Sequence, residues 1–244
     1  MSNYFITQPP FGKRKGKSYF ISFINKVLRF SKIGYTISPV DTIVDMNTIE
    51  QRINYYHLLD NVLSNRVAGD IVELGCFTGQ CAMLFQKVID QHLSAKKLHL
   101  YDTFENKYTI QGEVEDQLIR NFNDAGLKLP VLHRGLFQDT LRGQLPDQIC
   151  FIHIDCGFGG DQSLHKDVIV NCLKEVYPRM PTGGICVLMD YYDEQVNGVG
   201  FDAHPGVKLA CDEFLADKSE KVSCLFGNQY YHGFFRKDQI RTDQ

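Results

Sequence analysis

The sequence predicts an α/β protein, a doubly wound, Rossmann-like sheet of seven strands behind an N-terminal helical extension. Three observations predict it. Apolar strand-like runs alternate with helix-like stretches from Asp70 to Ala216, the order that builds a parallel sheet with crossover helices. Two further strand-like runs close the chain around Gly227-Asn228-Gln229 and read as an antiparallel hairpin. Four of the five parallel strands end in or beside an acidic residue (Glu73, Asp102, Asp155, Asp190), which gathers carboxylates at one edge of the sheet.

Residues 1–18 carry Pro9, Pro10, Gly12 and Gly16 with the basic cluster Lys13, Arg14, Lys15 and Lys17, a composition that favours a mobile arm. Ser18–Phe30 follows as an amphipathic helix, with Phe20, Phe23, Ile24, Val27 and Leu28 at helical spacing. A basic helix of this kind lies on an anionic membrane surface, covers its own domain or pairs with a second subunit. The last two are its ordinary uses, and a homodimer through this helix is one expectation. Residues 1–45 thus read as an arm and helix, and residues 46–244 as the main domain.

From Asp41 to Asn65, Ile49, Ile53, Tyr56, Leu59 and Leu63 make a helical apolar stripe that Gly69 stops. The five parallel strands are expected at Asp70–Leu74, Leu98–Asp102, Val131–Phe137, Ile149–Asp155 and Ile185–Asp190. Helices are expected at Gln80–His92, Glu113–Ala125, Leu164–Val176 and Gly206–Ala216, and the hairpin strands at Val222–Phe226 and Tyr230–Arg236.

Composition bounds the function. At 244 residues the chain accommodates one α/β domain with its extension. A formal charge of −3 gives no sign of a polyanionic partner, so nucleic acid is not expected. The eight cysteines stand singly, with no C-x-x-C pair, and Cys150, Cys186 and Cys224 lie in apolar runs. They read as reduced core residues of a cytoplasmic protein rather than bridges or zinc ligands. No apolar run approaches the roughly 20 residues of a membrane span.

In an open α/β sheet, ligands sit beyond the carboxyl ends of the strands. Any one of the four carboxylates could merely cap the next helix, but four at one edge point to a site. Glu73-Leu74-Gly75-Cys76-Phe77-Thr78-Gly79 spells E-x-G-x-x-x-G between a strand and a helix. Glycine lets the backbone approach a ligand, and the following helix adds oriented N–H groups. The turn lacks the third glycine of the dinucleotide fingerprint and the Lys-Ser/Thr pair of a phosphate loop, since Gln80 and Cys81 follow Gly79. Asp102 closes the second strand about 25 residues later, where an acidic side chain accepts hydrogen bonds from ribose hydroxyls. The combination fits an adenosyl ligand without phosphate.

Glu73–Gln80 is similar to E-C-G-V-W-x-G-G, and Asp102-Thr103-Phe104-Glu105 to D-S-F-E. Gly135–Leu141 is similar to G-W-F-x-D-T-L, and the stretch from Pro205-Gly206 to Ala210-Cys211-Asp212-Glu213-Phe214 to P-G-x-x-x-A-V-D-E-F. Met46–Asn61, with Arg52 and Leu58, matches the helix before the cofactor site. In this order, over residues 45–237, the motifs resemble the macrocin O-methyltransferase (TylF-type) family of bacterial sugar methyltransferases. The resemblance implies a class I fold that binds S-adenosylmethionine through Glu73, Gly75, Phe77, Thr78, Gly79, Asp102, Thr103, Phe137, Gln138, Asp139 and Asp155. It implies methyl transfer to a hydroxyl of a small-molecule acceptor, typically a sugar of a secondary metabolite.

It also implies a magnesium ion (Mg2+) on the acceptor side, held by a D-G-D and a D-D-Y motif that Asp155 and Asp190-Tyr191 match in part. Met189 and Gly157 replace the other two aspartates, and a thioether is a poor ligand for a hard cation. Either Asp155 and Asp190 hold magnesium with waters and two substrate hydroxyls, or Asp161 or Asp193 completes the shell. An aliphatic hydroxyl must lose its proton as the methyl moves. Asp155 is the expected base, with His153 and His204 as alternatives, although a lone histidine is more often structural. Residues 191–205, with Phe158 to Asp161, read as the acceptor loops. Three other readings remain: a methyltransferase for a phenol, amine or carboxylate; a methyltransferase-fold binding protein without activity; and a nucleotide-dependent oxidoreductase, disfavoured by the missing glycine.

Overall fold

Five apolar runs of four to six residues, too short for helices, pair as the parallel part of one seven-stranded sheet. They are β1 (Asp70–Leu74), β2 (Leu98–Asp102), β3 (Val131–Arg134), β4 (Ile149–Ile154) and β5 (Ile185–Met189). The chain closes with β6 (Ser223–Leu225) and β7 (His232–Arg236), and the order is β3-β2-β1-β4-β5-β7-β6. β7 runs antiparallel to both β5 and β6, which is the expected terminal hairpin. The structure, a computed structural model, describes residues 19–35, 37, 47–107, 110–156, 160–197, 202, 204–227 and 231–238. The expected arm, Gly157, Phe158 and the hairpin turn at Asn228-Gln229 lie outside them.

Helices cover both faces, as buried parallel strands require. They are α1 (Tyr19–Phe30), α2 (Ile49–Ser64), α3 (Gln80–Gln91), α4 (Val114–Asp124), α5 (Phe137–Gln144), α6 (Gln162–Val176), α7 (Glu194–Asn197) and α8 (Gly206–Phe214). One core layer packs Tyr55 and Leu59 of α2, Phe85 of α3 and Phe122 of α4 against Phe151 of β4. On the other face Val72, Ile152 and Cys186 meet Ile169 and Leu173 of α6 and Val207 of α8. Every residue of β4 is buried, which fits its place at the centre. All eight cysteines are free thiols, as expected, and six are buried. Among the described residues no helix is long and apolar enough to cross a membrane.

Most boundaries fall within two residues of the sequence reading, and the largest difference among the strands is at the third. The third strand stops at Arg134 rather than Phe137, because Gly135 takes a φ of +141° and turns the chain into α5. α5 went unforeseen because only Thr140 and Leu141 are buried, too few for a visible helical period. α2 starts at Ile49, where Thr48 and Gln51 form a capping box: Gln51 N–H donates to Thr48 Oγ1 and Thr48 N–H to Gln51 Oε1.

Strand order reverses at β1, which has β2 on one side and β4 on the other. Leu74 is level with Tyr101 of β2 and with Ile154 of β4, so the turn after β1, Asp102 and Asp155 emerge at one height. The likeness to a doubly wound crevice is complete at this point.

Phe85 is wholly buried, with Phe151 at a 5.2 Å ring separation and His153 at 5.6 Å. Truncation to Ala should cost about 3–5 kcal/mol of unfolding free energy, read from urea titration, because the site cannot collapse around the lost ring.

Candidate active site

The turn after β1 is shaped by what lies against it. Gly75 has a φ of +81°, and a Cβ placed there would come within 1.9 Å of the Asp155 carbonyl oxygen. Only glycine fits, so β1 and β4 close on each other just where the turn leaves the sheet. Asp155 N–H donates to Leu74 O (2.8 Å) and Gly75 N–H to Tyr101 O (2.9 Å), which ties the turn to both neighbouring strands. Gly79 (φ +82°) starts α3 close against Leu118 and Phe122 of α4.

Asp102 braces the same turn. Its Oδ2 accepts from the N–H groups of Cys76 and Phe77, both at 2.9 Å, and its Oδ1 accepts from Phe104 N–H at 2.9 Å. These bonds hold Phe77 in its left-handed conformation, φ +44°. A carboxylate has about four lone-pair directions, so one remains for a donor such as a hydroxyl. Thr78 is buried, its carbonyl accepting from Asn121 Nδ2 at 2.9 Å. Gly135 N–H donates to Asp102 O at 3.0 Å, which sets the corner carrying Phe137 beside the turn. Gln138 and Asp139 are exposed in the first turn of α5, and Thr103 Oγ1 accepts from Glu105 N–H.

Glu73 and His153 are not where the sequence placed them. Both are buried in the core, 1% and 0% exposed, with Glu73 Oε1 and His153 Nδ1 2.9 Å apart. The imidazole lies 4.9 Å from the Tyr55 ring, between α2 and the sheet. Burial pushes the Glu73 carboxyl well above the usual range and the His153 imidazole down to about 4. Burial therefore disfavours the charged form of both groups, and they share one hydrogen bond. The pair lies in the core beneath the sheet edge. A charged residue at a strand end carries no sequence signal of which way it faces, and β1 turns Glu73 to the α2 side.

Asp155 stands at the open edge just beyond β4. Burial raises its pKa to about 7; His153 opposes the rise, and the carboxylates of Asp190, Glu73 and Asp102 add to it. Asp190 follows β5 in a left-handed conformation, φ +60°, an uncommon position for a residue other than glycine. Burial raises its pKa as well, and His204 Nε2 approaches its Oδ2 at 3.7 Å. Asp155, Asp190 and His204 thus meet at one end of the sheet, beside the Gly75 turn.

Met189 points the other way. Its Sδ accepts from Gln51 Nε2 (3.1 Å) and Tyr55 OH (3.3 Å), both from α2. Asp161 is the N-cap of α6, accepting from Ser163 and Leu164 N–H, and Asp193 accepts from Gln195 N–H and pairs with Lys208 at 3.6 Å. Gln51 and Tyr55 were not singled out in the sequence, because a polar residue and an aromatic on a helical stripe read as surface and core.

No family model matches the chain. It is 25% identical over 180 residues to the 8-demethyl-8-(2,3-dimethoxy-alpha-L-rhamnosyl)-tetracenomycin-C 4'-O-methyltransferase of Streptomyces olivaceus. That match spans 63% of this chain and 64% of the relative's length. Among solved structures, the O-methyltransferase NovP superposes with a TM-score of 0.63 at 18% identity, over 88% of each chain. The Bacillus cereus O-methyltransferase in complex with SAH gives 0.54 at 16% identity, over 92% of this chain and 94% of that one. CalS11, a TDP-rhamnose 3'-O-methyltransferase, gives 0.54 at 15% identity, over 92% and 97%. The chain has the Rossmann-like class I methyltransferase fold.

The raised pKa of Asp155 has a consequence for stability. The folded protein holds a proton there that the unfolded chain has released, so the carboxyl favours the fold fully below about pH 4 and loses that contribution as pH rises through about 7. Asp155→Asn, which cannot ionise, should gain stability relative to the unsubstituted protein between pH 4.5 and pH 8.5. Urea titrations of both proteins at the two pH values measure it, and a gap independent of pH refutes the raised pKa.

Proposed function

We propose that the protein is an S-adenosylmethionine-dependent O-methyltransferase of the macrocin (TylF-type) kind, acting on a hydroxyl of a small molecule, a sugar or a glycosylated natural product. The observation that carries this reading is the meeting of the Asp102-braced, glycine-tight turn with Asp155 at the strand-order reversal. The names of the relatives agree with it: one acts on a rhamnosyl group of tetracenomycin and another on TDP-rhamnose. Residues 46–244 form the methyltransferase domain in this reading.

The residues present suit that cofactor. The turn is uncharged and has no phosphate cradle, which fits an adenosyl group, and Asp102 retains an acceptor direction for a ribose hydroxyl. Carboxylates at the same edge suit a sulfonium cation. S-adenosylmethionine supplies an electrophilic methyl group. Phe77, Gly79 and Phe137 shape the near wall of its site, with Thr103 and Gln138 at the rim.

The donor set does not fit a resident magnesium ion. Met189 stands where an oxygen ligand is needed and its sulfur is committed to Gln51 and Tyr55. Asp161 and Asp193 are used by local hydrogen bonds. Two carboxylates hold this cation when substrate phosphates share the load, and an uncharged sugar hydroxyl brings none.

Asp155 is then the base. Its ionised carboxylate takes the acceptor's hydroxyl proton while the oxygen forms its new bond to carbon and the bond from carbon to sulfur breaks. A base with a pKa near 7 is half ionised at neutral pH, which suits it to accept a proton and release it after turnover. Asp190, set by His204, lines the acceptor side and orients the hydroxyl.

Calorimetry with S-adenosylmethionine and with NAD tests the cofactor half: binding of the first is expected, and binding of NAD alone restores the oxidoreductase reading. In turnover assays over glycosylated acceptors, Asp155→Asn should lower kcat by roughly 10²–10⁴-fold with cofactor affinity kept. The rate should rise through about pH 7 and survive EDTA. Turnover undiminished in the variant removes Asp155 as base; loss of activity in EDTA, restored by magnesium, returns the metal to the mechanism. Cofactor binding without turnover on any hydroxyl, phenol, amine or carboxylate leaves a binding protein.

A further inference from the structure

We propose that α1, with the basic residues around it, is a docking element for an anionic membrane surface. The helix has no buried residue, although eight of its twelve residues are apolar or aromatic. At 100° per residue, Tyr19, Phe20, Phe23, Val27 and Phe30 fall within an arc of about 100°, and all five are exposed, from 47% at Val27 to 92% at Phe30. Ile21, Ile24 and Leu28 extend the apolar face and are half-buried. The opposite arc carries Ser22, Asn25, Lys26 and Arg29. Asn25 pins the following chain in both directions, Nδ2 donating to Ile37 O and Oδ1 accepting from Ile37 N–H, each at 2.7 Å. The segment so held adds exposed Ile33 and Tyr35.

Charge selects the occupant. Residues 1–40 contain seven Lys or Arg and no Asp or Glu, while the rest of the chain holds 19 basic and 29 acidic residues. The formal charge of −3 hides this split. An aromatic face beside purely positive side chains matches the headgroup boundary of an anionic bilayer, where rings sink and Lys stems reach back to phosphate. A second α1 fits less well, because pairing the two helices brings like charges together. The domain of a second copy is acidic but offers no apolar counterpart among the described residues: its exposed large hydrophobics, such as Leu93, Leu164 and Phe226, stand on different elements. An exposed aromatic cluster of this size in water calls for a partner, and lipid supplies both of the chemistries required.

Sedimentation of the full chain with vesicles of about 30% phosphatidylglycerol in phosphatidylcholine, against phosphatidylcholine alone, tests the assignment. Partitioning onto the anionic vesicles is expected, falling roughly tenfold or more in Phe20→Ser/Phe23→Ser/Phe30→Ser and in Lys26→Gln/Arg29→Gln/Lys32→Gln, and falling with added salt. Circular dichroism and melting temperature of both triple variants should match the unsubstituted protein, since none of these residues packs into the domain. The assignment is overturned if the full chain ignores anionic vesicles, binds both compositions alike, or keeps its binding in the phenylalanine variant. It is overturned too if the chain sediments as a dimer that the phenylalanine variant dissolves and does not bind vesicles, in which case α1 is a subunit contact.

Discussion

The candidate site depends on one backbone contact, the approach of Gly75 to the carbonyl of Asp155. A side chain of any size at residue 75 would overlap that oxygen, so β1 and β4 can lie level at the reversal of strand order only with glycine there. From that contact follow the tight turn, the left-handed Phe77 and the two N–H groups that Asp102 collects. The same contact fixes Asp155 beside the turn. The turn after β1 and Asp155 are thereby set by a single pair of strands, and neither can shift without the other.

Beneath this edge lies a layer that chemistry does not use directly. Burial disfavours charge on both Glu73 and His153, and a shared hydrogen bond satisfies one atom of each. Removing one partner would leave the other buried and unsatisfied, which costs more than the bond itself contributes. Burial is the main cause of the rise in the Asp155 pKa, and His153, two residues away, opposes it.

The sheet was legible because its strands are continuous apolar runs and its turns end in glycine or acidic residues. β1 and β2 fall where the pattern put them, β5 ends one residue earlier, and α3, α4, α6 and α8 differ only near their ends, while α7 was not foreseen. α5 was invisible, since an eight-residue helix with two buried side chains leaves no period to read. At the site, Asp102 and Asp155 could be picked by their positions at strand ends. Glu73, equally placed, turned inward, because alternation decides which face a side chain takes and the sequence does not say which face is the floor. The roles of Gln51 and Tyr55 were unreadable, as their partner Met189 lies in β5 and only the fold brings them together.

That meeting at Met189 makes α2 a wall and not a door. The sulfur receives donors from two successive turns of the helix, while Thr48 Oγ1 donates to Gly227 O at 2.9 Å and Asn54 Nδ2 to Phe226 O at 2.8 Å. Its first turn and outer edge are therefore held by the segment after β6, and its inner face by β5. Swinging α2 aside would break all of these at once and unseat Tyr55 from the core. α2 is thus a fixed side of the cleft.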